Sequence, residues 1–455
     1  MRNLNYYFQY CYTMKTISTS IILLQLITTI AFAFPFTSCN QQTCESEISH
    51  FITADSVNIL REGKPYYFVG TNLWYAPLLG AENGNRVRLQ QELDCLKEMG
   101  IENLRILVGA DAGSCHANSV QPYLQSQPGV LNDTLLVGLD YTLTELAKRN
   151  MTAVIYLTNS WDWSGGYGFY LRECGFGDSP NANGEGYNDY VKYAANFVRS
   201  QEALELFYKH AETIVSRVNS ITGIAYKDDP TIFAWQICNE PRPFSKDNKE
   251  LFAHFIAETA KRIKTIDTNH MVSLGSEGLY GCESDEELLV KVHTDPNIDY
   301  LTLHIWPVNW GWASRENPDE NIENACKRTN EYIDFHYRIW NRIKKPMVIE
   351  EFGFPREGNS CDLQRNTLSR DSLYKAVFHR VMESHLAQGP LAGCNFWGWG
   401  GSGRPRTETW SKGDDFLCDP PHEPQGWYSV FDSDSTTIKI IKHATNRLTS
   451  SSSSF

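Results

Sequence analysis

The strongest constraint on the fold of this 455-residue chain is a regular alternation of short apolar runs with amphipathic stretches. The apolar runs are typical of strands buried on both faces, and the amphipathic stretches have the period of a helix. A succession of eight apolar runs predicts one closed (β/α)8 barrel of the TIM type rather than two domains. The predicted strands are Tyr66–Leu73, Asn103–Val108, Ala153–Thr158, Ile232–Cys238, Met271–Leu274, Tyr300–Ile305, Met347–Glu350 and Ala392–Trp397.

The segments between the strands divide into helices and long insertions. The insertions Asp111–Gly129, Ser160–Ser200 and Gly398–Gly426 are predicted to be non-helical, and each follows a predicted strand. Because loops after parallel strands gather at the C-terminal face of a barrel, we expect them to form the walls of a cleft that suits a polymer. The predicted helices are Val87–Met99, Leu135–Arg149, Glu202–Asn219, Lys249–Asp267, Glu286–Val292, Asn321–Ile343 and Asp371–Gln388.

Net charge and composition indicate which classes of ligand the protein can bind. The net charge of −13 argues against nucleic acid or an anionic membrane surface, because binding to phosphate groups needs a cationic footprint. Aromatic residues make up 13% of the chain and include 12 Trp, which is more than a core usually needs. Flat apolar rings are natural partners of sugar faces, so a neutral carbohydrate is the favoured ligand.

The N-terminus has the order of a secretory signal, with a charged start at Met14-Lys15 and an apolar stretch from Ile21 to Phe36 that is too short to span a membrane. Export is therefore predicted. Cys39 after Thr-Ser resembles the lipid-modified cysteine of bacterial lipoproteins, Ala31-Phe32-Ala33 is compatible with ordinary cleavage, and an uncleaved anchor is the third alternative. The predicted organisation is a leader at 1–39, a spacer at 40–48, a catalytic domain at 49–448 and a Ser-rich tail at 449–455.

The 12 cysteines do not form a recognisable metal-binding pattern. No pair has the CxxC or CxxxC spacing, which argues against a metal cluster. Disulfides are permitted in an exported protein, but Cys238 and Cys394 fall inside predicted strands and are expected to be buried thiols.

Two acidic motifs carry the chemistry that the sequence predicts. Glu240 follows one apolar run in Asn239-Glu240-Pro241, and Glu350 and Glu351 close another. Retaining hydrolysis of a glycosidic bond needs one carboxylic acid and one carboxylate about 5 to 5.5 Å apart. Carboxylates at the ends of two barrel strands can meet at this distance. Strand alternation predicts that only one of Glu350 and Glu351 faces the barrel interior.

Other side chains at strand ends are expected to influence the ionisation of these acids or to bind the sugar beside them. Arg105 is expected to hold one carboxylate ionised, and the amide of Asn239 is placed to bind a sugar hydroxyl. A histidine in the position of His304 is more often a core residue. Only its alignment with the two glutamates makes His304 a candidate site residue. Trp397 is predicted to stack on a sugar ring, whereas Trp399 is open to a structural role. Further aromatic and amide groups at the same face are Trp74, Asn159 and Trp161.

The chain carries eight motifs in barrel order, which are Gly70-Thr71-Asn72-Leu73-Trp74-Tyr75, Leu104-Arg105-Ile106, Leu157-Thr158-Asn159-Ser160-Trp161, Trp235-Gln236-Ile237-Cys238-Asn239-Glu240-Pro241, Gly275-Ser276-Glu277-Gly278, Leu303-His304-Ile305-Trp306-Pro307, Glu350-Glu351-Phe352-Gly353 and Phe396-Trp397. Together they resemble glycoside hydrolase family 5, and within it the endo-β-1,4-mannanase branch. The resemblance runs over about residues 50 to 445.

The resemblance implies a role for each matching residue. Glu240 would be the general acid/base, and Glu351, directly before the aromatic-Gly pair, would be the nucleophile. Arg105 would orient the nucleophile, Asn239 would hold the 2-hydroxyl, and His304 and Trp397 would line the reacting subsite. The family usually has tyrosine where this chain has Trp306, so the hydrogen bonding at the nucleophile is expected to differ.

The predicted function is retaining endo-β-1,4-mannanase activity on mannan, glucomannan or galactomannan, by a monomer that needs no cofactor. Contact with a membrane is expected only through a lipid anchor at Cys39. A β-1,4-glucanase of the same family is the first alternative, since both carboxylates would be shared. A catalytically silent carbohydrate-binding barrel and a metal-dependent hydrolase barrel are the others. The second lacks support because both acids are present, and the third because no His-x-His pair begins the first strand.

Overall fold

The computed structural model describes residues 50–113, 119–183 and 186–450. Eight parallel strands form one sheet, and we number these strands β1 to β8 in chain order. Each is buried along its whole length, as expected for strands covered on both faces. Their bounds are Phe68–Asn72, Asn103–Leu107, Thr152–Tyr156, Ile232–Gln236, Met271–Ser273, Leu301–Ile305, Met347–Phe352 and Leu391–Phe396.

The sheet curls until its two edge strands, β5 and β6, come together. Ladder pairing runs from β5 through β4, β3, β2, β1, β8 and β7 to β6. The backbone N–H of Asp299 donates to the carbonyl of Val272 at 2.8 Å, and the hydroxyl of Thr302 donates to the carbonyl of Ser276 at 3.0 Å. These bonds join the edges, and the predicted (β/α)8 barrel is confirmed.

The described residues contain eleven α-helices, numbered α1 to α11, with bounds Ala76–Gly80, Arg86–Glu98, Asp133–Lys148, Gly166–Glu173, Tyr187–Ala194, Gln201–Val215, Lys249–Ile266, Glu286–His293, Ile322–Ile343, Leu368–Leu386 and Ser435–Ser450. Short strands outside the barrel are Thr53–Ala54, Ile59–Arg61, Lys64–Pro65, Gln125–Gln127, Val130–Leu131, Trp399–Gly401 and Val430–Phe431. Single turns of 3₁₀-helix are Asp162–Ser164, Phe197–Arg199, Tyr226–Asp228, Lys246–Asn248, Tyr280–Cys282, Pro318–Asn321 and Glu357–Asn359.

Three helix predictions need correction. The insertion at 160–200 was expected to be non-helical, but it contains α4 and α5, and α4 buries Tyr167, Phe169 and Tyr170 against the core. Helix α6 ends at Val215 rather than at Asn219, because residues 217–219 pair with residues 224–226 instead: the N–H of Tyr226 donates to the carbonyl of Arg217 at 2.8 Å, and the N–H of Asn219 donates to the carbonyl of Ile224 at 2.9 Å. Helix α11, which follows β8, was not among the predicted helices.

Several sequence predictions concern residues outside the described ranges. These are the leader at 1–39 with Cys39, the spacer at 40–48 and most of the Ser-rich tail, so the domain boundaries stay predictions. Within the described ranges, no helix has the length and apolar character needed to cross a bilayer. Cys238 and Cys394 are buried free thiols, as the sequence analysis predicts.

A buried ion cluster fastens the start of α11 to the barrel. One carboxylate oxygen of Asp434 accepts a bond from Arg356 at 2.7 Å and a longer one from Arg370 at 3.4 Å. All three side chains are at most 4% exposed. Burying a guanidinium costs free energy unless a negative charge is paired with it, so the Asp434 carboxylate offsets the cost of burying Arg356 and Arg370.

Replacing Asp434 by alanine is expected to destabilise the fold by about 3 to 5 kcal/mol, because two buried guanidinium groups lose their counter-charge. The measurement is the thermal midpoint and the denaturant midpoint of the variant against the parent. Asp432→Ala is the matched control, since Asp432 pairs with Arg404 at the surface, where both side chains are more than 40% exposed. That control should cost about 1 kcal/mol or less. Equal losses in the two variants would contradict the assignment.

Candidate active site

A cavity of about 840 Å³ lies at the C-terminal ends of the barrel strands. Insertions after β3 and β8 contribute to its wall, as the sequence analysis predicts, and segments after β6 and β7 add to it. The third predicted insertion, Asp111–Gly129 after β2, supplies no lining residue in the part of it that the structure describes. Six of the predicted site residues line it, namely Glu240, Glu351, Asn239, Trp161, Trp306 and Trp397.

The two predicted catalytic carboxyls face each other in this cavity. The Nδ1 atom of His304 lies 2.8 Å from Oε1 of Glu240 and 3.3 Å from Oε2 of Glu351. One oxygen of each carboxyl and a His304 ring nitrogen all lie within 4.8 Å of one another. This separation suits a retaining pair, at about 5 to 5.5 Å, and is too short for an inverting pair, at about 6.5 to 9.5 Å.

Strand β7 carries both acidic neighbours into the barrel interior, which corrects the alternation argument. Leu303 of β6 pairs with Ile349, but the next residue, His304, pairs with Glu351, so Glu350 is the extra residue of a β-bulge. Its carboxyl accepts bonds from Gln236 at 2.6 Å and from Tyr300 at 3.0 Å. Glu350 is fully buried beneath the cavity and is absent from its lining.

Arg105 of β2 joins the strands beneath the cavity floor. Its guanidinium donates to the Glu351 carboxylate, to Asn72 at 3.1 Å and to Asn239 at 2.8 Å. A further bond, from Nε, reaches Gln236 at 2.8 Å. Because Arg105 is completely buried and each of its three guanidinium nitrogens has an acceptor, its position and that of the Glu351 carboxylate are fixed together.

The backbone around Glu240 holds its side chain in place after the strand has ended. Glu240 has a φ of +49°, in the left-handed region that non-glycine residues rarely adopt. Its carbonyl accepts a bond from the Ser160 hydroxyl at 2.6 Å, and its N–H donates to the carbonyl of Gly275 at 2.8 Å. Strain of this kind persists where surrounding contacts enforce it, and it is frequent at functional sites.

Burial and mutual repulsion set the charge of the pair. Burial raises the pKa of the Glu240 carboxyl above its ordinary value. Burial also raises the pKa of the Glu351 carboxyl; the Arg105 guanidinium opposes that shift, and the charge of Glu240 adds to it. Two carboxyls this close share one negative charge near neutral pH, and the ion pair with Arg105 places that charge on Glu351.

Two indoles act on the Glu240 carboxyl. Trp161 donates to Oε2 of Glu240 at 2.5 Å, and Trp306 opposes the rise in the pKa of this carboxyl. The Trp306 ring packs at 5.1 Å from Tyr428 and at 6.0 Å from Trp397. The indole that replaces the family's tyrosine therefore acts on Glu240.

An ion pair that the sequence analysis missed lies beside Glu240. Arg242 makes two bonds to the Glu277 carboxylate, at 2.5 and 2.6 Å, and its guanidinium lies over the Trp161 ring at 5.5 Å. Both charged residues line the cavity. Their motifs gave a signal, since Arg242 directly follows Asn-Glu-Pro and Glu277 lies in the Gly-Ser-Glu-Gly motif after β5.

Two residues predicted to bind substrate lie behind the wall instead. Trp74 is 1% exposed, and its indole N–H donates to the carbonyl of Cys418 at 2.9 Å. Asn159 is fully buried, and its carbonyl oxygen accepts bonds from the Trp161 backbone and from Asn239 at 3.0 and 3.1 Å. Neither lines the cavity, so both are corrected from binding residues to supporting residues.

His304 and the two tryptophans after β8 complete the predicted set. His304 is fully buried and contacts both carboxyls from behind rather than lining the wall. Trp397 lines the cavity, whereas Trp399 is buried and donates to Glu92 at 2.8 Å, which is the structural role left open above. The insertions add lining residues without a sequence signal beyond aromatic content, among them Trp310, Arg315, Glu423, Trp427 and Tyr428.

The same three groups have the spacing of a metal site, since Glu240, His304 and Glu351 each offer a ligand atom. Their surroundings oppose a cation. The Glu351 carboxylate is already bonded to Arg105, and the positive charge of Arg242 acts on Glu240. The arrangement therefore fits proton transfer and nucleophilic attack better than ion binding.

Comparison with known proteins agrees with this geometry. Residues 49–453 match the family model described as GH family 5 β-mannosidase-like. Putative mannan endo-1,4-β-mannosidase 9 of Oryza sativa subsp. japonica is 28% identical over 407 residues, 88% of this chain and 89% of that protein. Mannan endo-1,4-β-mannosidase 1 of the same plant is 30% identical over 362 residues, 76% of this chain and 78% of that protein.

A solved structure is similar over nearly its full length. It is the glycoside hydrolase family 5 mannosidase of Rhizomucor miehei, as an E202A mutant in complex with mannosyl-fructose. The sequence identity is 33% and the TM-score is 0.81, covering 88% of this chain and 97% of that one. On the family match and the shared fold, this chain belongs to glycoside hydrolase family 5, in its β-mannosidase-like group.

Proposed function

We propose that this protein is a retaining endo-β-1,4-mannanase that acts on mannan, glucomannan or galactomannan. The observation that carries the proposal is the pair of buried carboxyls, Glu240 and Glu351, joined through His304 at 2.8 and 3.3 Å. Their separation leaves no room for a water between them and the anomeric carbon, which favours a covalent intermediate over direct inversion.

In the first half-reaction, a carboxylate oxygen of Glu351 attacks the anomeric carbon. The glycosidic C–O bond breaks, and the proton of Glu240 passes to the leaving oxygen. Arg105 keeps Glu351 ionised and aimed, since its guanidinium is bonded to that carboxylate. The amide N–H₂ of Asn239 and the ring of Trp397 are assigned to the sugar in the reacting subsite.

In the second half-reaction, Glu240 is ionised and acts as general base. It takes a proton from a water, whose oxygen attacks the anomeric carbon from the face that the leaving group has vacated. The ester bond to Glu351 breaks, and the product keeps the β configuration. Trp161 hydrogen-bonds the Glu240 carboxyl, Trp306 also acts to lower its pKa, and both stabilise its ionised form at this stage. No step requires a cofactor.

The substrate class follows from the relatives and is tested by turnover. The two Oryza sativa proteins are named as mannan endo-1,4-β-mannosidases. We expect mannohexaose to be cleaved and cellohexaose to be cleaved far more slowly. Preference for cellohexaose would place the activity with the β-1,4-glucanases of the family.

An exo-acting β-mannosidase is the second candidate, because the matching family model is described as β-mannosidase-like and the 33% identical structure is a mannosidase. Mannohexaose labelled at its reducing end separates the two modes. Endo action releases labelled fragments of intermediate length from the start. Exo action releases mannose and labelled mannopentaose first, and that early pattern would reject the endo assignment.

We also propose that the protein is exported and works as a monomer. Export rests on the signal-like order of residues 14–39, and attachment to a membrane would require a lipid on Cys39. Labelling of cells with a radioactive fatty acid, comparing the parent with Cys39→Ser, tests the anchor.

A further inference from the structure

His304 occupies the position between the two catalytic carboxyls. It lies near the C-terminal end of β6, directly opposite Glu351 in the ladder with β7. Its Nδ1 atom reaches Glu240 at 2.8 Å and Glu351 at 3.3 Å, and the ring is fully buried. Arg105 also bonds to Glu351, but its other donors go to Asn239, Asn72 and Gln236. In the described ranges, a His304 ring nitrogen lies within 3.5 Å of both carboxyls, with a hydrogen bond to Glu240 at 2.8 Å and a longer contact with Glu351 at 3.3 Å.

The surroundings of His304 keep it neutral. Burial, together with the charge of Arg105, holds the pKa of the imidazole well below its usual value. A neutral imidazole carries one N–H. The Nε2 atom has no hydrogen-bond partner among the residues that the structure describes, whereas Nδ1 faces two carboxyls. An unpaired lone pair costs less there than an unpaired N–H, so the network assigns the proton to Nδ1.

The proposed double displacement moves one negative charge back and forth across this N–H. Before attack the charge is on Glu351 and Glu240 carries a proton. In the covalent intermediate Glu351 is an ester and Glu240 is the carboxylate. Hydrolysis of the ester returns the charge to Glu351. At every stage one of the two groups beside Nδ1 is ionised, and a hydrogen bond to an ionised acceptor is the stronger one.

We propose that His304 is a positioning residue whose Nδ1–H hydrogen bond passes from Glu351 to Glu240 and back as the charge moves, so that one fixed donor stabilises the ionised carboxylate in both half-reactions. The N–H proton stays on His304 throughout, and only the direction of its bond changes. The inference rests on the proposed function, because it needs a covalent intermediate on Glu351.

Removing this donor has a defined effect on the pH profile. A hydrogen bond to a carboxylate favours the charged form, so its loss raises the pKa of that carboxyl. The acidic limb of kcat/KM reports ionisation of Glu351, and the alkaline limb reports ionisation of Glu240. Without the His304 donor the acidic limb of kcat/KM moves to higher pH, by about one unit for a charge-assisted bond. The alkaline limb stays in place, because the single N–H serves Glu351 on both sides of that ionisation. In the covalent intermediate Glu240 is the ionised partner, so the acidic limb of intermediate hydrolysis moves to higher pH as well.

The other charged groups near the site do not change the direction of these pH shifts. Arg105 from β2, Arg242 after β4 and Glu277 after β5 act on His304. Glu423, from the insertion after β8, acts on Glu240, and burial raises the pKa of Glu423 to about 8. These four groups are the same in parent and variant, so a shift between the two profiles comes from the change at His304.

The test compares two variants at His304. His304→Leu removes the donor, whereas His304→Asn places an amide N–H near the position of Nδ1. Rates of formation and hydrolysis of the covalent intermediate are measured with aryl β-mannobiosides from pH 4 to 9. We expect both rates to fall about tenfold in the leucine variant, the acidic limb of intermediate formation and the acidic limb of its hydrolysis to move to higher pH, and asparagine to restore much of each change.

Trp161→Phe is the matched control, because the Trp161 indole bonds to Glu240 alone of the two carboxyls. The acidic limb of intermediate formation should stay in place in that variant, whereas the alkaline limb of formation and the acidic limb of hydrolysis should move. In His304→Leu, a shift of the acidic limb in only one of the two steps would mean that His304 serves one carboxyl, and lower rates with neither acidic limb displaced would mean a packing role. Both outcomes overturn the inference while leaving the proposed function intact. Absence of turnover of β-mannosides by the parent would instead overturn the function.

A measurement on the parent protein covers the case in which the His304 variants do not fold. Nitrogen-15 spectra of histidine-labelled protein report the tautomer before and after trapping with a 2-fluoro-mannosyl inhibitor. We expect the Nδ1–H tautomer of His304 in both states, with a change in the Nδ1 proton shift and no titration between pH 5 and 8. An Nε2–H tautomer in either state would refute the proposal.

Discussion

Replacing Glu351 by glutamine is expected to lower kcat on mannohexaose by roughly 10⁴-fold or more, the range found when a nucleophile is removed from an enzyme that depends on it. The amide keeps the size of the side chain and can still contact Arg105, but it offers no anionic oxygen for attack. Binding of manno-oligosaccharides, measured by calorimetry, should persist. The change in rate therefore isolates the chemical step from recognition.

Glu350→Gln is the matched control for this variant, because the two acids are neighbours on one strand and both lie near Arg105, at 3.9 Å from Nε for Glu350. The Glu350 carboxyl is absent from the cavity lining, so substantial turnover should remain. Glu351→Gly with added azide gives a second readout. Azide takes the place of the carboxylate and yields an α-mannosyl azide, so a β product or a fully active Glu351→Gln would exclude this nucleophile.

The meeting of Glu240 with Glu351 could be predicted from the sequence because it follows from topology. Each acid closes an apolar run, and parallel strands in a barrel all end at one face. Arg105 was predictable for the same reason, since it lies within a buried strand where an unpaired guanidinium would be costly. Such arguments need the order of the strands but no knowledge of how the strands are registered.

The orientation of Glu350 could not be predicted, because it depends on register. Alternation alone would turn one of two consecutive acids away from the barrel interior. In the structure both side chains face the barrel interior, because Glu350 is the extra residue of a β-bulge opposite β6. A bulge is set by pairing between two strands, here around Leu303 and His304, and a single strand's sequence does not carry that information.

Whether a side chain lines the cavity or lies behind its wall also could not be predicted from the sequence. Trp74 and Asn159 lie at the predicted face, yet both bond to groups beneath the cavity surface. The insertions explain this difference, since residues such as Trp163 and His422 stack across the barrel mouth with ring centroids 6.3 Å apart. Contacts between two insertions that are far apart in the chain follow from tertiary packing and not from local pattern.

Replacing Glu240 by alanine is expected to have an effect that depends on the leaving group. A positioned general acid contributes roughly 10²- to 10⁴-fold when the leaving oxygen needs a proton. Hydrolysis of mannohexaose should fall by that factor. Formation of the covalent intermediate from a 2,4-dinitrophenyl β-mannobioside should remain close to the parent rate, because that phenolate leaves without a proton. Stopped-flow release of dinitrophenol against steady-state turnover is the measurement.

The second half-reaction distinguishes Glu240 from every other acid in the cavity. Without a general base, water attacks the covalent intermediate slowly, and the intermediate should accumulate as a burst. Azide needs no base, so it should restore turnover and give a β-mannosyl azide, of opposite configuration to the product from Glu351→Gly. Glu277→Gln is the comparison, since that carboxyl also lines the cavity but is held in two bonds by Arg242. A burst with azide rescue in Glu277→Gln, and neither in Glu240→Ala, would transfer the acid/base role to Glu277.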